Sequence, residues 1–304
     1  MNFIKMHGAG NDYIFVDCFK NVVEQPEKLA VEISDRHFGV GSDGLVLILP
    51  SDIASCKMRI FNADGSEAKM CGNAIRCVGK YFYENYPQHR WRGLAVRADN
   101  IQDTDYKSAP IKPASANTLT IETISGIKTL ELFVENNLVN EVLVDMGKAD
   151  FTAQNIPIIC NSSTYINSPI KIDGREFLIT AVSMGNPHAV VFCGNVDEIP
   201  LETLGTKFEH HEIFPERVNT EFVQIINKKT LKMRVWERGS GETMACGTGT
   251  CASVAAAVKN NLLDPETEIC VKLKGGELFI TCKNDYQIFM RGNAVEVFCG
   301  EYLF

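Results

Sequence analysis

No apolar run in this 304-residue sequence is long: the longest unbroken stretches are about five residues, such as 45–49. A membrane helix needs roughly 20, so no membrane association is expected. There is no lysine- or arginine-rich run, and the formal net charge is −8. A surface that tracks nucleic-acid phosphates is therefore not expected either. No Cys-x-x-Cys pair occurs, and none of the 11 cysteines stands at a zinc-ligand spacing from a histidine, so no metal site is expected. The opening residues, MNFIKMHGAGND, lack the apolar core of a signal peptide. With no export signal, an odd number of cysteines points to reduced thiols and a cytoplasmic protein. Nucleotide signatures are missing as well. GSGETMACGTGT lacks the Gly-Lys-Ser/Thr ending of a P-loop, and GAGNDY lacks the third glycine of the dinucleotide fingerprint. No lysine has the context of a pyridoxal-phosphate Schiff base.

What remains is an ordinary globular composition, 45% apolar and 22% charged, in a chain long enough for about two domains. Short stretches rich in Val, Ile, Phe and Thr, bounded by Gly, Asn or Asp, predict strands. They fall at 3–6, 13–19, 45–49, 58–62, 119–124, 128–134, 141–146, 177–183, 189–193, 221–226, 231–237, 268–273, 278–281 and 287–290. Helices are predicted at 26–37, 73–83, 201–211 and 250–259. Many strands with few helices predict an α+β chain. The polar segment 98–117, with two prolines, predicts a long loop.

The most informative pattern is an internal repeat. Gly10-Asn11 and Gly185-Asn186, Glu67 and Glu242, and Cys71-Gly72 and Cys246-Gly247 all stand 175 residues apart. Each Gly-Asn precedes a strand-like run, and each Cys-Gly opens a helix-like one. Two similar halves are implied, each presenting a cysteine at a helix start. Related by a pseudo-twofold axis, they could bring the two cysteines face to face across a cleft.

A helix N-terminus carries unpaired N–H groups and partial positive charge. It lowers a thiol pKa from about 8.5 toward neutrality and can hold a carboxylate. Two such ends facing one cleft would suit inversion of a stereocentre, with a base on one face and an acid on the other. One cysteine would be a thiolate and its partner a thiol. The other nine cysteines are read as buried core residues, with Cys77 and Cys251 on the inner faces of their helices. Asn62 lies nine residues before Cys71, and Glu237-Arg238 lies at the matching place before Cys246. Arg238 suits a second carboxylate and Glu237 an ammonium group. Asn219 is a turn residue or a substrate donor. His188 is read as a structural hydrogen-bonding group rather than a base.

The blocks HGAGNDY (7–13), FNADGSEAKMCGNAIRC (61–77), MGNPHAVV (184–191), ERVNTEF (216–222) and ERGSGETMACGTGTCA (237–252) together resemble the diaminopimelate epimerases. These are pyridoxal-phosphate-independent isomerases of bacterial lysine and peptidoglycan synthesis. The resemblance implies two pseudo-symmetric domains, each a mostly antiparallel sheet wrapped around a central helix. The first would span 1–140 with 294–304 returning to it, and the second 141–293. It implies Cys71 and Cys246 as the acid/base thiols, with Gly72, Asn73, Gly247 and Thr248 holding the reacting carboxylate by backbone groups. Asn11, Asn62, Asn186, Asn219, Glu237 and Arg238 match substrate-binding positions, and His188 and Glu237 match supporting ones. No cofactor is implied, and a homodimer is expected. One departure is visible: many members have Gln where this chain has Gly44. Proline racemases share the two-cysteine fold, but a cyclic substrate has no distal carboxylate for Arg238. An amino acid racemase with another side chain and a thiol redox switch are the remaining alternatives. The switch would work through a Cys71–Cys246 disulfide, so activity with and without reductant separates it from an epimerase.

Overall fold

The computed structural model describes residues 1–87 and 117–303. The segment 98–117, expected as a loop, lies outside them except for Asn117. Contacts divide the chain into two units: Met1–Gly8, Asp12–Val144 and Asn293–Phe304 form the first, and Ala9–Asn11 with Asp145–Gly292 the second.

In the first unit β1 (Asn2–Gly8) pairs antiparallel with β18 (Val295–Glu301). Strand β2 (Asn11–Asp17) runs parallel to β3 (Gly44–Leu49), the crossover being α1 (Pro26–Ser34). Strand β3 pairs antiparallel with β4 (Cys56–Asn62), and β4 with the two-residue β5 (Glu67–Ala68). A second crossover, α2 (Gly72–Asn85), leads to β6 (Thr118–Thr123), parallel to β4. Strands β7 (Gly126–Glu135) and β8 (Leu138–Lys148) continue antiparallel.

The second unit repeats this order. Strand β9 (Ser168–Ile172) pairs antiparallel with β10 (Arg175–Ser183), and β10 with β11 (Pro187–Phe192). Strand β11 runs parallel to β12 (Asn219–Asn227) across α3 (Leu201–Glu209). Strands β13 (Thr230–Glu237) and β14 (Gly241–Glu242) follow antiparallel. Helix α4 (Gly247–Lys259) crosses to β15 (Glu268–Leu273), parallel to β13. Strands β16 (Gly276–Cys282) and β17 (Gln287–Asn293) close the series antiparallel. The path β2-α1-β3-β4-β5-α2-β6-β7-β8 is thus matched element for element by β11-α3-β12-β13-β14-α4-β15-β16-β17. The fold is α+β.

Helices α2 and α4 are the centres of their units. Eleven of 14 residues of α2 and ten of 13 of α4 are buried, so apolar side chains surround each helix rather than line one stripe. Gly79 on α2 admits close approach: a Cβ there would lie 2.6 Å from Leu130 Cδ2 on β7. On α4 the same closeness comes from Ala252 and Ala255 to Ala257, all fully buried. Helices α1 and α3 are amphipathic covers. Leu29, Ala30 and Ile33 join Ile14, Leu45 and Phe61 in one core. In the other, Phe208 meets Phe222 edge to face at 5.5 Å.

Helix ends differ from those expected. Helix α1 stops at Ser34, short of residue 37, because Asp35 turns extended and its carboxylate takes the N–H groups of His37 and Phe38 at 2.7 and 2.8 Å. Helices α2 and α4 begin earlier than expected, directly after the cysteines. Strands β5 and β14 escape a periodicity reading because two residues carry no period, and β9 was likewise unforeseen. The core reading of nine cysteines also needs correction. Cys56, Cys77, Cys251 and Cys282 are buried, four others are half-buried, and Cys299 is exposed. It sits on β18, whose burial pattern is mostly exposed, so no core face is available to it. Cys77 and Cys251 are 1% and 0% exposed.

Candidate active site

In each unit a two-residue strand, a short turn and a central helix place a cysteine at the helix N-cap. Cys71 caps α2 with extended backbone (φ −134°, ψ 122°), and Cys246 caps α4 in the same way (φ −112°, ψ 111°). The Cys246 side chain turns back over the first-turn N–H groups, which have no intrahelical partner, and accepts one of them, whereas the Cys71 side chain makes no such cap bond.

Around Cys71, the Tyr13 hydroxyl donates to Sγ at 3.8 Å. Gly72 and Asn73 form the first turn of α2. Both are tied by Arg76, whose side chain is wholly buried. Its guanidinium donates to the Gly72 carbonyl at 3.1 Å, to Asn73 Oδ1 at 3.0 Å and to the Asn293 carbonyl at 3.1 Å. Asn62 ends β4 and donates to Ser66 Oγ at 3.0 Å. It pairs across the strand with Gly44. A Cβ on Gly44 would collide with the Phe61 carbonyl oxygen, so this backbone admits no glutamine there. Asn11 belongs to the short segment counted with the second unit.

The second unit gathers most of the remaining candidates. Cys246 is 5% exposed. Its Sγ accepts the Gly249 N–H at 3.3 Å and lies 3.4 Å from Thr248 Oγ1. Loss of water, followed by the negative charges of Glu237 and Glu221, pushes this thiol well above the usual cysteine range. The bonds from Thr248 and Gly249 act in the opposite direction and are outweighed. The expected lowering by a helix N-terminus is thus reversed at Cys246, because burial and two carboxylates dominate. Burial also raises Glu237, which accepts the Thr243 hydroxyl at 2.5 Å.

Asn186 Nδ2 donates to Thr248 Oγ1 at 3.3 Å, and its Oδ1 lies 3.0 Å from His188 Nε2. His188 is completely buried and its Nδ1 lies 2.7 Å from Glu221 Oε1. Asn219 ties three segments: Nδ2 donates to the Pro187 carbonyl at 3.2 Å, and Oδ1 accepts the Arg238 N–H at 3.0 Å. The Arg238 guanidinium donates to the Glu216 carbonyl at 2.9 Å. Gly247 opens α4.

Tyr13, Arg76, Thr243 and Glu221 were not singled out from sequence. Only Glu221 left a signal, an acidic residue inside the strand-like run 220–226. Among the described residues no group of three or more His, Cys, Asp or Glu side chains is placed to hold a metal ion. Nor is any described helix long and apolar enough to cross a membrane.

Comparison with known proteins identifies the family. The family model described as diaminopimelate epimerase matches residues 3–102 and 180–297. A diaminopimelate epimerase of Acetivibrio thermocellus is 50% identical over 302 residues, 99% of this chain and 98% of that protein. One from Methanococcus maripaludis is 48% identical, with 99% of each covered. Among solved structures, a probable proline racemase from Agrobacterium radiobacter matches with a TM-score of 0.67 at 13% identity, covering 99% of this chain and 92% of that one. It shares the fold. With a family model over most of the sequence and relatives near half identical from end to end, the chain belongs to the diaminopimelate epimerase family.

Proposed function

We propose that this protein is a cofactor-independent isomerase that interconverts LL- and meso-2,6-diaminopimelate, with Cys71 and Cys246 as its acid/base pair. The observation that carries it is the cysteine at the N-cap of the central helix in both units, at matching positions of one repeated topology. A two-base inversion needs that duplication. One Sγ, as thiolate, takes the α-proton, so a C–H bond breaks and an S–H bond forms. The other, as thiol, gives its proton to the opposite face of the same carbon. No electrons are gained or lost.

Burial and the two nearby carboxylates favour the thiol form of Cys246, which suits it to donate in one direction of the reaction. In that direction Cys71 must be the thiolate. The first-turn N–H groups at Gly72 and Asn73 and at Gly247 and Thr248 bind the reacting carboxylate, whose charge grows in the carbanion-like transition state. Arg238 binds the distal carboxylate. Glu237 attracts an amino group, and Asn11, Asn62, Asn186 and Asn219 hold the rest of the substrate. Family membership supports a role in lysine and peptidoglycan precursor synthesis, and a cytoplasmic location and a homodimer are part of the same proposal. Light scattering on the purified chain tests the last.

The deciding experiment is proton NMR of LL-diaminopimelate in D₂O with purified protein, reductant and no added cofactor. The α-proton signal should disappear as the meso isomer forms. A folded, reduced protein that leaves the α-proton in place sinks the proposal.

A further inference from the structure

We propose that Glu221 is a positioning residue for Cys246, acting through a chain of four contacts. Glu221 Oε1 meets His188 Nδ1 at 2.7 Å, and His188 Nε2 meets Asn186 Oδ1 at 3.0 Å. Asn186 Nδ2 donates to Thr248 Oγ1 at 3.3 Å, and Thr248 Oγ1 lies 3.4 Å from Cys246 Sγ. The links join three strand or helix starts, β11, β12 and α4, so the chain is tertiary and not a local turn. Its far end is anchored: Glu221 and His188 are both wholly buried.

One proton lies on the line between Glu221 Oε1 and His188 Nδ1, whichever atom holds it. That fixes the imidazole orientation, and Nε2 carries a second proton that it donates to the Asn186 amide oxygen, so His188 either bears both N–H groups or bears this one while Glu221 holds the shared proton. Asn186 then has one orientation, with Nδ2 turned to Thr248. Glu221 Oε2 is buried and makes no hydrogen bond among the described residues. A buried carboxylate oxygen left in that state is disfavoured, so stability alone does not account for a glutamate here. The carboxylate also closes on the thiol from below. A Cβ on Gly249 would lie 2.5 Å from Glu221 Oε1, and the Gly249 N–H is the group that donates to Cys246 Sγ. The titratable groups around Glu221 are His188 on β11, Glu237 at the end of β13 and Cys246 at the start of α4.

The inference rests on the two-thiol reaction proposed above. Its test is a cycle of Glu221→Gln, His188→Asn and the double variant. In Glu221→Gln, kcat should fall roughly 10- to 100-fold, the scale of misplacing a reacting group. The basic limb of the kcat profile should move to lower pH, because one negative charge beside Cys246 is gone. The double variant should lose no more than the worse single one. An unchanged kcat and pH limb overturns the proposal, as do losses that multiply in the double variant. A lowered melting temperature with an unmoved limb marks a merely structural glutamate and overturns it too.

Should Glu221→Gln fail to fold, the unaltered protein decides. Its His188 imidazole should give an exchange-protected, strongly downfield N–H resonance, assigned by its loss in His188→Asn. Absence of that signal is negative. If the unaltered protein does not epimerise diaminopimelate, the proposed function fails. The resonance and the rate of Cys246 alkylation in each variant still test the chain.

Discussion

Trp236 donates its indole N–H to Glu209 at 2.8 Å, and the other oxygen of Glu209 takes the Gly239 N–H at 2.9 Å. One carboxylate at the end of α3 thereby braces the turn that carries Arg238. A Cβ on Gly205 would overlap the Trp236 ring, so α3 and the indole are in close contact. Glu209→Gln keeps a carbonyl for one donor and loses the other acceptor. Melting should show a loss of about 1–3 kcal/mol, and KM for diaminopimelate should rise more than kcat falls. An unchanged KM would separate the brace from Arg238.

Arg238→Ala tests the distal carboxylate. A hydrogen bond to a charged group is worth about 1.5–3 kcal/mol, so kcat/KM for diaminopimelate should drop roughly 10- to 150-fold. Steady-state kinetics would show it. No drop points to a substrate without a second carboxylate.

Cys246 should alkylate with iodoacetamide more slowly at pH 8 than an exposed thiol, because its thiolate forms only above the usual cysteine range. Glu237→Gln removes a negative charge next to the sulfur, so alkylation at the same pH should accelerate. Mass spectrometry of the labelled peptide reads both rates, and a slower reaction in the variant would contradict this electrostatic order.

Arg76→Met removes the donors that hold the Gly72 carbonyl, Asn73 Oδ1 and the Asn293 carbonyl. Each hydrogen bond from a charged donor that is removed costs about 1.5–3 kcal/mol. A urea titration should show a loss of about 3 kcal/mol or more. A loss below about 1 kcal/mol would mean the guanidinium is replaceable by apolar packing.

Burial pushes Cys18 up to about 11, and Cys77 and Cys282 up to about 12. A raised thiol pKa in the fold means that the unfolded chain releases its protons first. The stability from these thiols is complete below the ordinary thiol range, about 8.5, and declines as pH rises toward the folded values. The melting temperature should therefore fall between pH 8.5 and 11, and Cys282→Ala should flatten that fall. A melting temperature independent of pH over this window would count against it.

The repeat at a spacing of 175 residues was legible because Gly-Asn turns and Cys-Gly helix starts are rigid local signals. The parallel pairings of β2 with β3 and of β11 with β12 were not, since they join residues separated by a helix and a loop. At the site, the cysteines and their flanking glycines could be read one position at a time. Arg76 could not: in sequence it is one more basic residue on a helix, and only packing shows it wholly enclosed. Nor could sequence show the environment of Cys246. The helix start is a local feature that lowers a thiol pKa, whereas Glu221 and Glu237 reach the sulfur from strands 25 and nine residues away.

Strand β1 is completed by β18, and the Met1 ammonium donates to the Tyr302 carbonyl at 2.8 Å. During synthesis, then, the first unit to emerge from the ribosome lacks a partner for its leading strand until residues 295–301 have been translated. The second unit counts only Ala9–Asn11 from upstream of residue 145. It can therefore reach its native contacts before the one made earlier, and the unit begun first is finished last. A nascent protein that has emerged from the ribosome only as far as residue 292 would have its Cys246 region built while β1 remains open to a foreign strand.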